Sequence, residues 1–379
     1  MKLIHLSDLH IGKKIYGYSM LEDQKHILNQ ILNIIKDVNP DGIIIAGDVY
    51  DKSVPPSEAV TEFDDFLYML SKFDKPVFII SGNHDSAERL AFGARIMSDK
   101  KIYFSPVYTG NISPIECKDE YGSVFFYLLP FIKPNDVKKR FPDAQLNGSN
   151  YSDAVRFAVE QMNIDPSKRN VLVTHQFVKG ASKSDSEEPC SVGGTDEVAA
   201  DIFDIFDYTA LGHIHRPQNI GKSNLRYCGT PLKYSFSEEN QNKSVTVVDI
   251  REKGVADVST IDLYPLRDMR TVEGEFENIR NSSNYTEDYV RVILTNSEPV
   301  HDALQCLRPT YPNIMILKNG TYSAEYALDT FEDDEKNNRS PLDIVSEFLI
   351  DRGVEITDMR KKYLEKIISE IWEGNNETD

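Results

Sequence analysis

Apolar residues in the first half of the chain fall into short continuous runs that alternate with stretches of helical spacing. LIHLS, at residues 3–7, suits a strand. From Leu21 to Val38 the apolar positions Leu21, Ile27, Leu28, Ile31, Ile35 and Val38 recur near the helical period and predict a helix. GIIIAG (42–47) is an unbroken apolar run, as in a strand buried on both faces. Pro55-Pro56-Ser57 opens a second helix through Phe73, with Ser57 expected at its N-cap. PVFIISG is the next strand, followed by SVFFYLLPF, a helix around Tyr151–Met162, and the strands NVLVTH and YTALGHIH. Alternating strands and helices are the α/β signature. Short strands then dominate between Leu225 and Pro265: LRYCG, SVTVVDI and ADVSTIDLY. The pattern predicts a layered sandwich of mixed sheets flanked by helices.

The pattern changes after Leu266. TVEGEFENIRNSSNYTED is polar, and a small βαβ-like unit follows: DYVRVILT as a strand, His301–Leu307 as a helix, NIMILK as a strand. FEDDEKNNRSP is an acidic linker. The tail resumes as two helices, the last from about Asp358 to Trp372 with Met359, Tyr363, Ile367 and Ile371 four apart. These shifts divide the chain at 1–270, 271–330 and 331–379.

Composition narrows the class. With 40% hydrophobic and 27% charged residues in 379, the chain has the make-up of a globular protein with a substantial core. It has no apolar run long enough to span a membrane and no signal-peptide pattern, so a cytoplasmic location is expected. Cys117, Cys190, Cys228 and Cys306 lack pairing motifs and read as free thiols. A net charge of −19 argues against binding nucleic acid by bulk charge. Any such contact has to come from local basic residues, bound cations or a partner chain.

The histidines carry the chemistry. His10 (SDLHIG), His84 (SGNHDS), His175 (NVLVTH), and His213 with His215 (LGHIH) each follow an apolar run, as does Asp48 in AGDVYD. In an α/β sheet, functional groups gather outside the carboxyl ends of the strands. Asp8 and His10 are two apart, so on an extended chain their side chains point the same way. Singly, each motif has a plain structural reading: a capping Asp, a Gly-Asn turn, two strand histidines on one face. Together they place Asp8, His10, Asp48, Asn83, His84, His175, His213 and His215 along one edge. Mixed His, carboxylate and amide donors suit Mn, Fe or Zn better than Ca. Without cysteine in the set, a structural zinc site is disfavoured. A pair of divalent ions clamps a phosphate and activates a water, which points to phosphoester hydrolysis. His5, His26 and His301 lie off this edge and read as structural.

Asp-x-His, Gly-Asp-x-x-Asp, Gly-Asn-His-Asp, a strand-end His and Gly-His-x-His resemble the signature of the calcineurin-like metallophosphoesterases. SDLHIGK, GDVYDK, SGNHDS, THQFVKGASKSDSE, VGGTDEV, YTALGHIHRPQ and YCGTPLKYSFSE resemble more narrowly the nuclease subunits of bacterial SbcCD complexes. The resemblance implies a four-layer sandwich of two mixed sheets flanked by helices, with a small α+β capping domain and a helical tail. It implies that Asp8, His10 and His215 hold one metal, that Asn83, His175 and His213 hold the other, and that Asp48 bridges them. The implied ions are two Mn²⁺, with Mg²⁺, Fe²⁺ and Zn²⁺ not excluded by the ligands. His84 would be the catalytic histidine, and Asp51 an acid that orients it, so that Asp51→Asn is expected to slow turnover without loss of metal. The implied activities are a 3′→5′ exonuclease on duplex DNA ends and an endonuclease on single strands or hairpins. The implied assembly is a homodimer within a heterotetramer, with the tail gripping the coiled coil of the SbcC ATPase. The chain itself carries no GxxxxGK[ST] loop.

Lys13 and Arg216 adjoin the motifs, and with Arg89 they are candidates for DNA contact. Lys14, Lys133, Lys138, Lys139, Arg140 and Lys179 are further candidates, and any one of these basic residues taken singly reads more simply as a solvated surface charge. Protein phosphatases of this fold carry Gly-Asp-x-Val-Asp-Arg-Gly where this chain has GDVYDKS, which counts against that activity. The extra domain and tail count against a small-molecule phosphodiesterase, and the intact set of ligand-type residues against an inactive scaffold.

Overall fold

The computed structural model describes residues 1–327 apart from 106, 145, 147–149, 188–195, 283, 320 and 321, together with Arg360 and Leu364. The linker, the tail apart from those two residues, Cys190 and the GGT part of the loop after His175 lie outside the described residues. Met1–Leu328 form one compact unit.

Two six-stranded sheets face each other. In the first, Lys2–Leu6, Gly42–Ala46, Val77–Ile80 and Ile102–Phe104 run parallel in that order. Ser244–Ile250 and Ala256–Asp262 extend it antiparallel beyond Lys2–Leu6. In the second, Gly122–Leu129, Arg169–His175, Tyr208–Gly212 and Lys222–Tyr227 are parallel, with Ile115–Asp119 and Gln218–Ile220 antiparallel at the edges.

Strand alternation builds three cores from two sheets. Leu3, Ile44, Ala46, Phe78 and Ile80 point inward and meet Phe126, Val171, Val173 and Ala210 of the facing sheet. Phe78 stacks on Phe126 at 4.1 Å between centroids. The alternate residues Ile4, Ile43, Ile45, Val77 and Ile79 point outward and bury Ile27, Ile31 and Ile35 of the helix Leu21–Val38 with Phe63 and Phe66 of the helix Ser57–Ser71. On the other side Leu172 and Leu211 pack with Ala154, Val155 and Ala158 of the helix Tyr151–Glu160. The result is the expected four-layer sandwich. Central strands covered on both faces must be apolar throughout, which is why GIIIA shows no alternation.

Ser57 is not the N-cap expected of it. The helix Ser57–Ser71 is entered from Pro56, whose φ of −65° and ψ of 155° set the extended approach, and no side chain caps it. Proline's fixed φ makes the turn that a hydroxyl was expected to make.

A third sheet orders Met269–Gly274, Tyr289–Leu294, Ile314–Asn319 and Tyr322–Ala327, the first three parallel and the last antiparallel. The polar TVEG stretch thus holds a strand, and the expected helix His301–Leu307 is Ala303–Leu307. Val290, Val292 and Ile314 form a separate small core with Phe276 and Leu307. The sheet is tied to the sandwich through buried Asp23, which accepts from Arg267 Nη1 at 2.8 Å and from Tyr289 Oη at 2.7 Å.

Candidate metal centre

The parallel strands of both sheets end at one edge, and the predicted residues are there. Asp8, His10 and Asp48 have φ of 52°, 46° and 47°, and His213 has 102°. Convergence of Asp8 and His10 therefore does not arise from an extended strand, as their spacing suggested, but from two left-handed residues just beyond it. Non-glycine residues in this region are uncommon and concentrate where surrounding structure enforces a functional geometry. Asp8 N–H donates to Gly47 O at 3.0 Å and His10 N–H to Asp48 O at 3.0 Å, so the two strand-end loops brace each other.

Three groups of side chains place ligand atoms within 4.8 Å of one another: Asp8, His10 and His215; Asp8, Asp48 and His175; and His10, Asp48 and His84. His10 Nε2 lies 3.2 Å from His215 Nε2. Asn83 Oδ1 lies 3.1 Å from His175 Nε2 and 2.9 Å from His213 Nδ1. Asp48 Oδ2 sits between the two sides, 3.2 Å from His175 Nε2 and 3.8 Å from His10 Nε2. Two glycines keep this space open. A Cβ on Gly82 would fall 2.0 Å from Asp48 Oδ1, and one on Gly47 2.4 Å from His175 Nδ1. The donor set is nitrogen and carboxylate or amide oxygen, which fits a first-row divalent cation.

Electrostatics favour the same use. Burial, reinforced by the Asp48 charge, pushes the Asp8 carboxyl up to about 7. Burial would also raise Asp48, but the neighbouring His175 outweighs it and holds Asp48 well below the usual carboxylate range. Burial opposes charge on His175, yet Asp48 and Asp8 carry it to about 9. His175 Nδ1 donates to Ala46 O at 2.8 Å, which turns Nε2 toward the carboxylates. A cation held there would take the place of the Nε2 proton, so its binding would release protons.

His84 differs from the others. Its backbone N–H donates to Asp48 Oδ1 at 2.9 Å, and its Nδ1 donates to the Asp51 carbonyl at 3.0 Å. Nε2 is left 4.0 Å from Asp48 Oδ2 on a ring that is 13% exposed, open toward the mouth. The carboxylate of Asp51 does not contact this ring. It accepts from Lys13 Nζ at 2.6 Å and lies 3.5 Å from His10 Nδ1. The orienting contact on His84 is thus made by the main chain of residue 51, because its side chain turns toward Lys13 and His10.

Among the DNA candidates, Lys13 is held by Asp51, Arg89 is exposed and donates to Ser53 O at 2.9 Å, and Arg216 is exposed. A cleft of about 370 Å³ opens beside the site between Lys13, Lys14, Tyr16, Ser186, Tyr234, Phe236 and the third-sheet residues Arg291, Ile316 and Lys318.

Sequence reasoning assigned no role to several residues that shape the site. Asp85 accepts from the backbone N–H groups of Val49, Tyr50 and Gly82 at 3.1, 2.9 and 2.9 Å, locking the Asp48 loop to the Asn83–His84 loop. The string SGNHDS contained it. Gln24 donates to His10 O at 2.7 Å, and Tyr234 Oη to Leu9 O at 2.6 Å. Neither has a local pattern that would announce it.

The profile of the calcineurin-like phosphoesterase family matches residues 1–217, the stretch that holds all eight residues of the edge. A profile described as the type 5 capsule protein repressor C-terminal domain matches residues 265–352. The SbcD subunit of the nuclease SbcCD from Staphylococcus epidermidis is 37% identical over 325 residues, covering 84% of this chain and 85% of that protein. The chain belongs to the SbcD family of calcineurin-like phosphoesterases. A solved dimetal phosphatase from Danio rerio, 12% identical, covers 70% of this chain and 99% of its own with a TM-score of 0.40. For an SbcD-family chain the Asp and His groups at the strand ends are a divalent-metal site. Among the described residues no helix is long and apolar enough to cross a membrane, and Cys117, Cys228 and Cys306 are free.

Proposed function

We propose that this chain is the nuclease subunit of an SbcCD-type DNA repair complex and hydrolyses DNA phosphodiesters. The observation that carries this reading is the convergence of six ligand-type side chains around Asp48 with His84 set apart at their mouth. In this reading Asp8, His10 and His215 hold one cation, Asn83, His175 and His213 a second, and Asp48 both. The ions are manganese, with magnesium, iron or zinc compatible with the same donors. Bound divalent cations supply positive charge against the phosphoryl oxygens and against the attacking and leaving oxygens.

The chain's own residues do the rest. Asp51 O fixes the His84 tautomer with the proton on Nδ1. As imidazolium, His84 then offers Nε2–H to a phosphate or leaving oxygen at the mouth. Asp48 Oδ1 accepts from the His84 backbone N–H, so the bridging carboxylate and His84 are held to each other. Lys13, Lys14, Arg291 and Lys318 against Asp185 give the adjoining cleft an excess of positive charge toward the DNA backbone in a chain that is otherwise acidic, with Arg291 3.6 Å from Glu239. The activities are 3′→5′ exonuclease on duplex ends and endonuclease on single strands and hairpins, in the cytoplasm. The partner is an SbcC-type ABC ATPase, and the chain forms a homodimer within a heterotetramer. Phe92 and Ile96, 84% and 77% exposed, are apolar side chains that a second copy would cover.

The test is cleavage of end-labelled duplex and hairpin DNA by the full chain with Mn²⁺, with and without the ATPase partner. The expected result is stepwise 3′→5′ shortening of the duplex and opening of the hairpin. Turnover of an aryl phosphate with no DNA cleavage in either condition would replace this reading with a stand-alone phosphatase.

A further inference from the structure

A polar shell, buried at Glu238 and Lys243 and half-buried at Ser184, Ser186 and Glu187, surrounds His215, and none of the roles above uses it. Ser186 Oγ lies 2.6 Å from His215 Nδ1 and also donates to Glu238 Oε1. Glu238 and Lys243 are 0% and 4% exposed and are ion-paired. Lys243 Nζ further donates to His215 O at 2.9 Å and Thr230 Oγ1 at 2.8 Å. The His215 backbone N–H donates to Glu187 Oε1 at 2.7 Å. Glu187 Oε2 in turn accepts from Ser184 N at 2.5 Å and Ser184 Oγ at 2.9 Å.

Counting hydrogens fixes a tautomer. A carboxylate paired with an ammonium only accepts. Ser184 Oγ, 3.0 Å from Ser186 Oγ, gives its own hydrogen to Glu187, and the single Ser186 hydroxyl hydrogen goes to Glu238, so Ser186 Oγ accepts from His215. The proton of neutral His215 is then on Nδ1, and the Nε2 lone pair faces His10 Nε2, 3.2 Å away. A buried ion pair is a poor source of stability, because desolvation offsets its attraction. Its placement against one imidazole suggests a use in orientation instead, since partners of a ligand's second ring nitrogen set tautomer and basicity.

We propose that Ser186, backed by the Glu238–Lys243 pair, is a positioning residue that holds His215 as the Nδ1–H tautomer and presents Nε2 for metal coordination. This rests on His215 being a ligand, as in the function proposed above.

Two readouts test it on the full-length protein. Long-range ¹H–¹⁵N spectra of the metal-free protein at neutral pH report the His215 tautomer, and Mn²⁺ titration calorimetry reports affinity. Wild type is expected as the Nδ1–H form. Ser186→Ala is expected to lose that form and to bind Mn²⁺ about 10–100-fold more weakly. Ser186→Thr, which keeps the hydroxyl, is expected to stay close to wild type in both. An Nε2–H tautomer in wild type, or Ser186→Ala with tautomer or affinity unchanged, overturns the proposal. His215→Gln serves as the control: undiminished Mn²⁺ affinity there would overturn the ligand assignment itself and the positioning role with it.

Discussion

His10 and His215, on one side of Asp48, are enclosed by charged side chains from loops: Asp51, Lys13, Glu187, Glu238 and Lys243. His175, on the other side, meets the carboxylates of Asp48 and Asp8 through Nε2, but its second ring nitrogen, Nδ1, is set by the main chain through Ala46 O, and the ring lies edge-on to Phe131. Both sides occupy the carboxyl ends of parallel strands, so the fold alone does not explain the contrast. Main-chain support comes with the strand itself and cannot be mutated away without the ligand. Side-chain support can be altered residue by residue, so metal affinity at the His10–His215 side is the more tunable of the two.

The largest effect should come from the residue the two sides share. Asp48→Asn removes a carboxylate that meets His175, His10 and the His84 backbone. DNA cleavage is expected to fall on the order of 10³-fold, as for loss of a preorganised electrostatic partner. Mn²⁺ per chain, measured by mass spectrometry of metals, should fall as well. Full metal content with wild-type cleavage would remove Asp48 from the centre.

Asp51→Asn sharpens the comparison. The variant keeps the carbonyl that orients His84 but weakens the contacts to His10 and Lys13. Burial would raise the Asp51 carboxyl, but His10 and Lys13 hold it well below the usual range, so the native group is charged. Mn²⁺ affinity should weaken about tenfold, with turnover at saturating Mn²⁺ near wild type. This reverses the outcome that the family resemblance implied. Slowed turnover at unchanged affinity would restore a direct role on His84.

The smallest effect concerns His5, buried beside the site but outside it. Burial, aided by Arg226, lowers it to about 3, and its Nδ1 meets Tyr208 Oη at 2.9 Å. The unfolded chain takes up this proton near pH 6.5, before the folded one does, so stability falls as pH drops from about 6.5 toward 3. By linkage the loss is roughly 2 kcal/mol at pH 5. His5→Gln should flatten that slope in denaturant titrations at pH 5 and 6.5. An equally steep slope would assign the acid sensitivity elsewhere.

Much of the centre was legible because its residues directly follow apolar runs, and strand ends are where an α/β sheet exposes chemistry. Asp8, Asp48, Asn83 and the five histidines are all of this kind. Ser186, Glu238 and Lys243 were not legible, because each is an ordinary loop or strand-flanking residue that matters only through a contact across 28 to 52 positions. The strand Met269–Gly274 was hidden for a related reason. It lies at the edge of the third sheet, with Arg270 and Glu273 exposed and Thr271 half-buried against Glu239 and Arg291. Ser57 was misread because a hydroxyl before an apolar-periodic stretch looks like a cap, whereas Pro56 had already made the turn.

The most direct test of the central claim compares hairpin DNA cleavage by wild type and His84→Gln in Mn²⁺, with bound metal measured on the same samples. The account predicts a loss of about 10²–10⁴-fold in turnover, the range for a positioned acid or base, with metal content unchanged. Wild-type cleavage by His84→Gln, or loss of metal along with activity, would contradict it.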